Sequence, residues 1–574
     1  MGKNIRWDIK AGGDEKAASE LAKELTISKS LASILVDRKI DTFDKAKKYF
    51  RPSLDDIHNP FLMKDMDRAI ERIERALGEG ERILVYGDYD VDGTTAVSLV
   101  YSFLAKFTDN IDYYIPDRYG EGYGISYKGV DYAYENEISL IIALDCGIKA
   151  NDKVDYANEK NIDFIICDHH RPSENLPSAI AILDPKRDDC DYPYDELCGC
   201  GIGFKLIQAF SQKNDFPFDD LLQYLDLVAI SIGCDIVPIT GENRILAYYG
   251  LQQVNLNTRT GIRCMLELLE LKKGLTITDL VFVIGPRINA AGRIDHAKKA
   301  VQLLISDTEE AAFDVSKRIN EDNQNRRELD KLITQEALGM IEDVDFLKDA
   351  KSCVLHSSNW HKGVVGIVAS RVIETYYRPT IILTSDGATA SGSARSVKGF
   401  DVYNAINACQ DMITQFGGHK YAAGLTLPTE NINAFREKFE EAVANTITEE
   451  QLTQSIEIDA DITLNEITPK FYRILEQLAP FGPQNMRPVF VTTGVLDTGY
   501  SKTVGADDLH LKLSVYQKGN TNFKLNGIAF NMGYHYAKIS QGIPFDIIYN
   551  IEENNWKGNV SIQLKIKDIR FASN

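Results

Sequence analysis

The feature that most constrains this chain is a phase relation: short, nearly continuous apolar runs that each end in an acid. Arg82-Ile83-Leu84-Val85-Tyr86 leads into Gly87-Asp88-Tyr89-Asp90-Val91-Asp92-Gly93, and Leu140-Ile141-Ile142-Ala143-Leu144 leads into Asp145. Phe164-Ile165-Ile166-Cys167 leads into Asp168-His169-His170, and Ile180-Ala181-Ile182-Leu183 into Asp184. Amphipathic stretches separate these runs, and that alternation predicts a parallel sheet covered by helices on both faces. Residues just beyond the carboxyl ends of such strands face one crevice, so the acids and histidines are predicted to converge. The apolar stretch from Leu227 through Cys234, which delivers Asp235, reads as a fifth member of the set.

At 574 residues the chain exceeds what one hydrophobic core organises, so three or four domains are expected. The fold class read from the pattern is multidomain α/β. An amino-terminal helical segment, 1–60, packs on the core, and the parallel-sheet domain occupies 61–317. From Arg318 the sequence turns charged with one sparse apolar edge, which predicts a connecting helix over 318–348. A second α/β unit, 349–452, carries Ile381-Ile382-Leu383 as a strand and glycine-rich segments at 387–399 and 417–424. Short alternating strands such as Leu511–Val515 and Ser561–Ile566 place a small β-barrel at 453–574.

No apolar run approaches the ~20 residues that cross a bilayer, and the amino terminus lacks a signal-peptide apolar core, so a soluble, cytoplasmic chain is expected. Of nine cysteines, several sit in apolar runs as small hydrophobes. Cys190, Cys198 and Cys200 cluster without zinc spacing, and Gly199-Cys200-Gly201-Ile202-Gly203 reads as a turn before a helix. The net charge of −20 by itself argues against nucleic acid. A dense carboxylate site and a narrow basic channel within an acidic body reconcile the two.

Asp90, Asp92, Asp145 and Asp235 with the His169-His170 pair form an oxygen and nitrogen ligand set suited to manganese or magnesium. Several carboxylates within ~4–6 Å repel one another, so the crevice calls for protons or divalent cations. Two ions there would polarise a phosphate and lower the pKa of a bound water, which is phosphodiester hydrolysis without a covalent enzyme intermediate. Any one of these acids is equally well a helix cap or turn residue. For the set that explanation is poor, because Asp88, Asp90 and Asp92 alternate too tightly for one cap to use them all. His58, His296 and His535 read as structural or surface residues.

The segments Gly87–Gly93 and Asp168-His169-His170 resemble the signatures of the DHH phosphoesterase superfamily. Gly285–Ile294, Trp360–Arg371, Phe416–His419 and Leu478–Asn485 resemble its single-strand-specific exonuclease branch. That resemblance runs over nearly the whole chain. It implies a DHH domain, a connecting helix, a DHH-associated domain and an OB-fold that closes a channel wide enough for one strand. Carried over by position, Asp90, Asp92, Asp145, Asp235 and His169 would hold two Mn2+ or Mg2+ ions, with Asp88 in or beside that shell and His170 near the scissile phosphate. Arg287 would lie on the DNA path beside the metals. Ser393 and Arg395, helped by Arg118, would hold a 5′ phosphate, and Gly418 and His419 would meet the strand closely. The expected activity is release of 5′-mononucleotides from single-stranded DNA in the 5′-to-3′ direction, in repair and recombination. Single-stranded-DNA-binding protein and a helicase are the expected partners, and the chain is expected to be a monomer. Tyr86 stands where many DHH members carry a histidine, which weakens a pyrophosphatase reading. Some bacterial members carry a further carboxyl-terminal domain; the chain ends at Asn574 after the barrel, which leaves partners docking there outside the expectation. The alternatives are a phosphodiesterase for short oligonucleotides or cyclic dinucleotides, and a non-catalytic DNA-binding scaffold of the replication machinery.

Overall fold

The computed structural model describes residues 5–271, 274–294, 296–343, 348–556 and 558–571. Expectations that fall on 1–4, on 344–347 of the connecting helix and on 572–574 lie outside the described residues. Strand β1 (Arg6–Ile9) is followed by helices Glu15–Leu25, Lys29–Asp37 and Phe43–Phe50. Asp14, Ser28 and Thr42 cap them, each side chain accepting backbone N–H groups of the first turn. The buried faces of these helices, Leu21, Leu31, Ile34, Leu35 and Ala46, join the core of the carboxyl-terminal barrel.

The apolar runs form β2 (Arg82–Gly87), β3 (Ile111–Tyr114), β4 (Ile138–Leu144), β5 (Asp163–Cys167) and β6 (Ala181–Leu183). They pair in parallel in the order β3-β2-β4-β5-β6. Alternate residues serve two cores. Ile83, Val85, Leu140, Ile142 and Ile165 face one, and Leu84, Tyr86, Ile141, Ala143 and Ile166 face the other. Burial on both faces is why these strands read as unbroken apolar runs.

Two readings need correction. The stretch that delivers Asp235 is the helix Leu225–Cys234, not a strand. It is buried on every side from Leu225 through Gly233, and a short helix with no polar face has the same composition as a buried strand. Gly199–Gly203 is likewise no turn before a helix: it is the first turn of the helix Gly199–Lys213, with Cys198 Sγ accepting the Gly201 N–H. Its glycines permit close packing, as at Gly203, where a Cβ would touch Val100 and Leu144.

The charged stretch is one helix, Glu309–Asp343, that starts upstream of Arg318. At 35 residues it spans roughly 50 Å and buries only a thin edge of Ala312, Ser316, Ile319, Asn323, Asp330, Ile333, Ala337 and Ile341. Beyond it lie β7 (Cys353–His356), β8 (Thr380–Asp386), β9 (Thr389–Arg395), β10 (Gln415–His419) and β11 (Ala422–Pro428), in the order β10-β11-β9-β8-β7. Both glycine-rich segments are therefore largely strand. Gly392 is required by packing, since a Cβ there would lie 2.1 Å from the Ile382 carbonyl oxygen.

Strand β12 (Ser455–Ile458) pairs in parallel with β1. The barrel comprises β13 (Ala460–Asp461), β14 (Phe490–Asp497), β15 (Lys502–Val504), β16 (His510–Gln517), β17 (Asn520–Ala529), β18 (Phe545–Trp556) and β19 (Asn559–Phe571). Their order is β13-β14-β18-β19-β17-β16-β15, and β14–β16 pairing closes the sheet on itself. No helix among the described residues is long and apolar enough to cross a membrane.

Candidate active site

Strand β2 ends at Gly87, and the chain turns at once into the helix Val91–Leu104. Asp90 caps it, its Oδ1 accepting the Gly93 N–H at 3.1 Å. Gly93 is forced by this turn, because a Cβ would lie 2.4 Å from the Asp88 carbonyl oxygen. Asp92 sits inside that first turn, buried. Its two oxygens accept the Gly199 and Cys200 N–H groups at 2.6 and 2.7 Å, and Oδ1 also accepts the Ser231 hydroxyl at 2.5 Å. A carboxylate is thus docked on the positive end of the helix Gly199–Lys213.

Asp145 follows β4 with φ of 58°, a left-handed conformation that Asp tolerates better than most residues. Asp235 is the C-cap of the helix Leu225–Cys234. His169 follows β5, and its Nε2 lies 3.2 Å from Asp145, 3.5 Å from Asp235 and 3.6 Å from Asp92. Four segments far apart in sequence therefore meet at one imidazole nitrogen.

The electrostatics of this cluster are unbalanced. Burial, reinforced by the neighbouring carboxylates, pushes Asp88, Asp90, Asp145 and Asp235 above the ordinary carboxylate range. Burial holds the His169 imidazole below its usual value. Both His169 ring nitrogens and Asp88 Oδ2 are buried without a hydrogen-bond partner, although oxygens surround His169. Orphaned lone pairs facing several acids are what a divalent cation satisfies, and two groupings, Asp92–His169–Asp235 and Asp145–His169–His170, bring their ligand atoms within 4.8 Å of one another.

His170 is oriented differently. Its Nδ1 meets Asp168 Oδ1 at 2.8 Å, and its Nε2 faces the Tyr123 hydroxyl at 3.3 Å. Burial would lower the imidazole, but the bond and charge of Asp168 outweigh it and the net shift is upward. Asp168 also accepts the N–H groups of Ile148, His169 and His170. Burial would raise its carboxyl, yet the His170 hydrogen bond and these donors bring it down to about 2. Sequence reasoning passed over Asp168 as a strand end, though it opens the Asp-His-His triplet.

Across the crevice lies a cleft of about 440 Å³ lined by Tyr89, Arg118, Arg293, Ser393 and Arg395. Arg395 donates to Ser393 Oγ at 2.7 Å, and Arg118 stacks over Tyr89 at 4.6 Å. No acid appears among the described residues that line it. Burial and the charges of Arg118, Arg326 and Arg395 bring Arg293 down to about 10. Guanidiniums forced together without a carboxylate, beside a hydroxyl, form an anion site. Arg293 was missed, although it stands in the Gly285–Ile294 segment singled out from the sequence.

Three expected substrate contacts lie elsewhere. Arg287 donates to the Val283 carbonyl and to Asn320, and lines a second basic cleft of about 810 Å³ with Arg326, Arg327 and Arg371. A smaller cavity of about 160 Å³ shares Arg293 with the first cleft and Arg326 with the second. Gly417 lines the first cleft, whereas Gly418 and His419 do not. Gly418 has φ of 146° and no room for a side chain against Ala422, and His419 is exposed at the end of β10.

A parallel sheet that gathers acids and an Asp-His-His triplet at its carboxyl edge, facing a basic cleft on a second sheet, defines a phosphoesterase of the DHH class. The DHH family N-terminal domain matches residues 82–232, the DHHA1 domain 349–445 and the RecJ OB domain 458–568. The chain belongs to the RecJ family. It is 36% identical over 572 residues to the single-stranded-DNA-specific exonuclease RecJ of Bacillus subtilis, covering 99% of this chain and 71% of that one. To the Escherichia coli protein of the same name it is 32% identical, covering 88% and 90%. The crystal structure of RecJ in complex with Mn2+ from Thermus thermophilus superposes with a TM-score of 0.85 at 25% identity, over 100% of this chain and 81% of that one.

Proposed function

We propose that this chain is a metal-dependent, single-stranded-DNA-specific exonuclease that removes 5′-mononucleotides in the 5′-to-3′ direction. The observation that carries the reading is the meeting of Asp92, Asp145 and Asp235 within 3.6 Å of His169 Nε2. Asp88, Asp90, Asp92, Asp145, Asp235 and His169 hold two Mn2+ or Mg2+ ions. When bound, such ions would supply the positive charge that polarises a phosphate and lowers the pKa of a water. Family membership supports this chemistry, as does the bound Mn2+ in the relative from Thermus thermophilus.

The protein's own residues orient and select. Asp92 is fixed by three donors, so its carboxylate does not reorganise as the substrate arrives. His170, oriented by Asp168, whose hydrogen bond and charge shift its pKa upward, presents its imidazole to the scissile phosphate. Arg118, Arg293 and Arg395 with Ser393 hold the 5′ phosphate, which sets direction by admitting only a strand end. Arg287 with Arg326 and Arg327 neutralises phosphates further along. Gly417 approaches the terminal nucleotide, and Gly418 and His419 shape the β10–β11 turn beside it. The enzyme works as a cytoplasmic monomer in repair and recombination, supplied by a helicase and by single-stranded-DNA-binding protein.

The test supplies Mn2+ with single-stranded DNA labelled at either end, alongside duplex DNA and a dinucleotide. Mononucleotides released from the 5′ end of the single strand alone are the expected result. Equal cleavage of the dinucleotide would favour the short-substrate phosphodiesterase instead.

A further inference from the structure

Ile236, the residue after Asp235, has φ of 62°. It follows the C-cap of the helix Leu225–Cys234, at the left-handed position where helices commonly place glycine. A β-branched side chain is disfavoured there, because Cβ crowds the backbone. Among the described non-glycine residues with positive φ, Ile236 is the only apolar one.

Burial does not offset this strain. Ile236 is 67% exposed, whereas Val237 and Ile239 on the same segment are buried. The segment itself is held: Asn243 donates to the Pro238 carbonyl, and the Ile239 N–H donates to the Pro483 carbonyl. The chain thus keeps a costly apolar side chain in the open, beside an acid 3.5 Å from His169 Nε2. Glycine would make the same turn with less strain. Such outliers persist where the side chain serves the site.

We propose that Ile236 contacts the substrate, forming the apolar seat for the base next to the scissile phosphate. The inference rests on the nuclease reading above. A phosphate at the acid cluster brings its adjoining nucleotide to the rim, and the base face is the part of that nucleotide an isoleucine can hold. In a duplex that face is stacked on its neighbour, so the seat also favours a single strand.

The test compares the wild-type chain with Ile236→Gly and Ile236→Ala, in Mn2+, on 5′-phosphorylated single strands that are normal or abasic at the first or second nucleotide. Wild type should lose about tenfold in kcat/KM on the strand abasic at the seated position. Ile236→Gly should lose about as much on normal DNA and nothing further on that abasic strand, and Ile236→Ala should behave alike. Ile236→Gly should also melt no lower than wild type, which excludes unfolding as the cause. If wild type cleaves single strands while Ile236→Gly equals it on normal and abasic DNA, the inference falls and the nuclease reading stands. Wild type inert on every single strand would remove both.

Discussion

One helix, Gly199–Lys213, carries two buried polar clusters that obey opposite rules. Midway along it the fully buried Lys205 donates to Glu242 at 2.8 Å and to the His58 carbonyl at 2.6 Å. Glu242 also accepts the Tyr192 hydroxyl and the His58 N–H, so every charge there has a partner. At the amino end of the helix, Asp92 joins Asp145, Asp235 and His169, where acids outnumber cations and ring nitrogens lack partners. Burial is deep in both, with only Asp235 of the second cluster partly exposed. The difference lies in completeness: a cluster that satisfies itself is structural, and one that cannot marks where something from outside binds.

The sharpest way to break this contrast is at Asp145. Asp145→Ala should reduce hydrolysis by at least about a thousandfold while the fold stays intact, because the lost group repels its neighbours in the metal-free protein. Unchanged activity would refute the metal assignment. Lys205→Met should do the converse, destabilising the chain by about 3–5 kcal/mol in chemical denaturation by stranding a buried Glu242. Adding Glu242→Leu should restore much of that loss, and a double variant as unstable as the single one would show the pair is not self-contained.

Arg395→Ala should lower kcat/KM about 10- to 100-fold on 5′-phosphorylated strands and far less on unphosphorylated ones. Equal effects on both would misplace the anchor. The smallest effect concerns pH. The folded pKa of Asp145 is raised, so the folded state binds the proton more tightly than the unfolded chain. Its stability penalty is absent below the unfolded value near ~3.9 and grows as pH rises through the folded value. Metal-free protein should therefore melt lower at pH 8 than at pH 5, with a flatter dependence in Asp145→Asn and in protein given Mn2+.

Much of this was legible because apolar runs terminated by acids encode both strand position and the edge on which side chains emerge. Asp90, Asp145 and His169 followed from that phase alone. Asp235 was placed correctly in the crevice but on the wrong element, since a helix buried on all sides has no polar stripe to betray its period. Arg293 and Asp168 stayed hidden for another reason. Their roles arise from neighbours brought by tertiary packing, Arg118 and Arg395 for one, Ile148 and His170 for the other. Ile236 could not have been found at all, because its significance is a backbone angle.

Arg244 has a consequence for how the molecule can be divided. Its buried guanidinium donates to the carbonyls of Tyr49, Leu478 and Ala479 and stacks on the Tyr49 ring at 3.8 Å. One side chain therefore rivets the parallel-sheet unit to the amino-terminal helices and to the approach to the barrel. A barrel grafted from another source would have to bring the carbonyls of residues 477–479 to Arg244, or leave its cation part-stranded at the seam. The chain is thus modular in its architecture and indivisible at this joint.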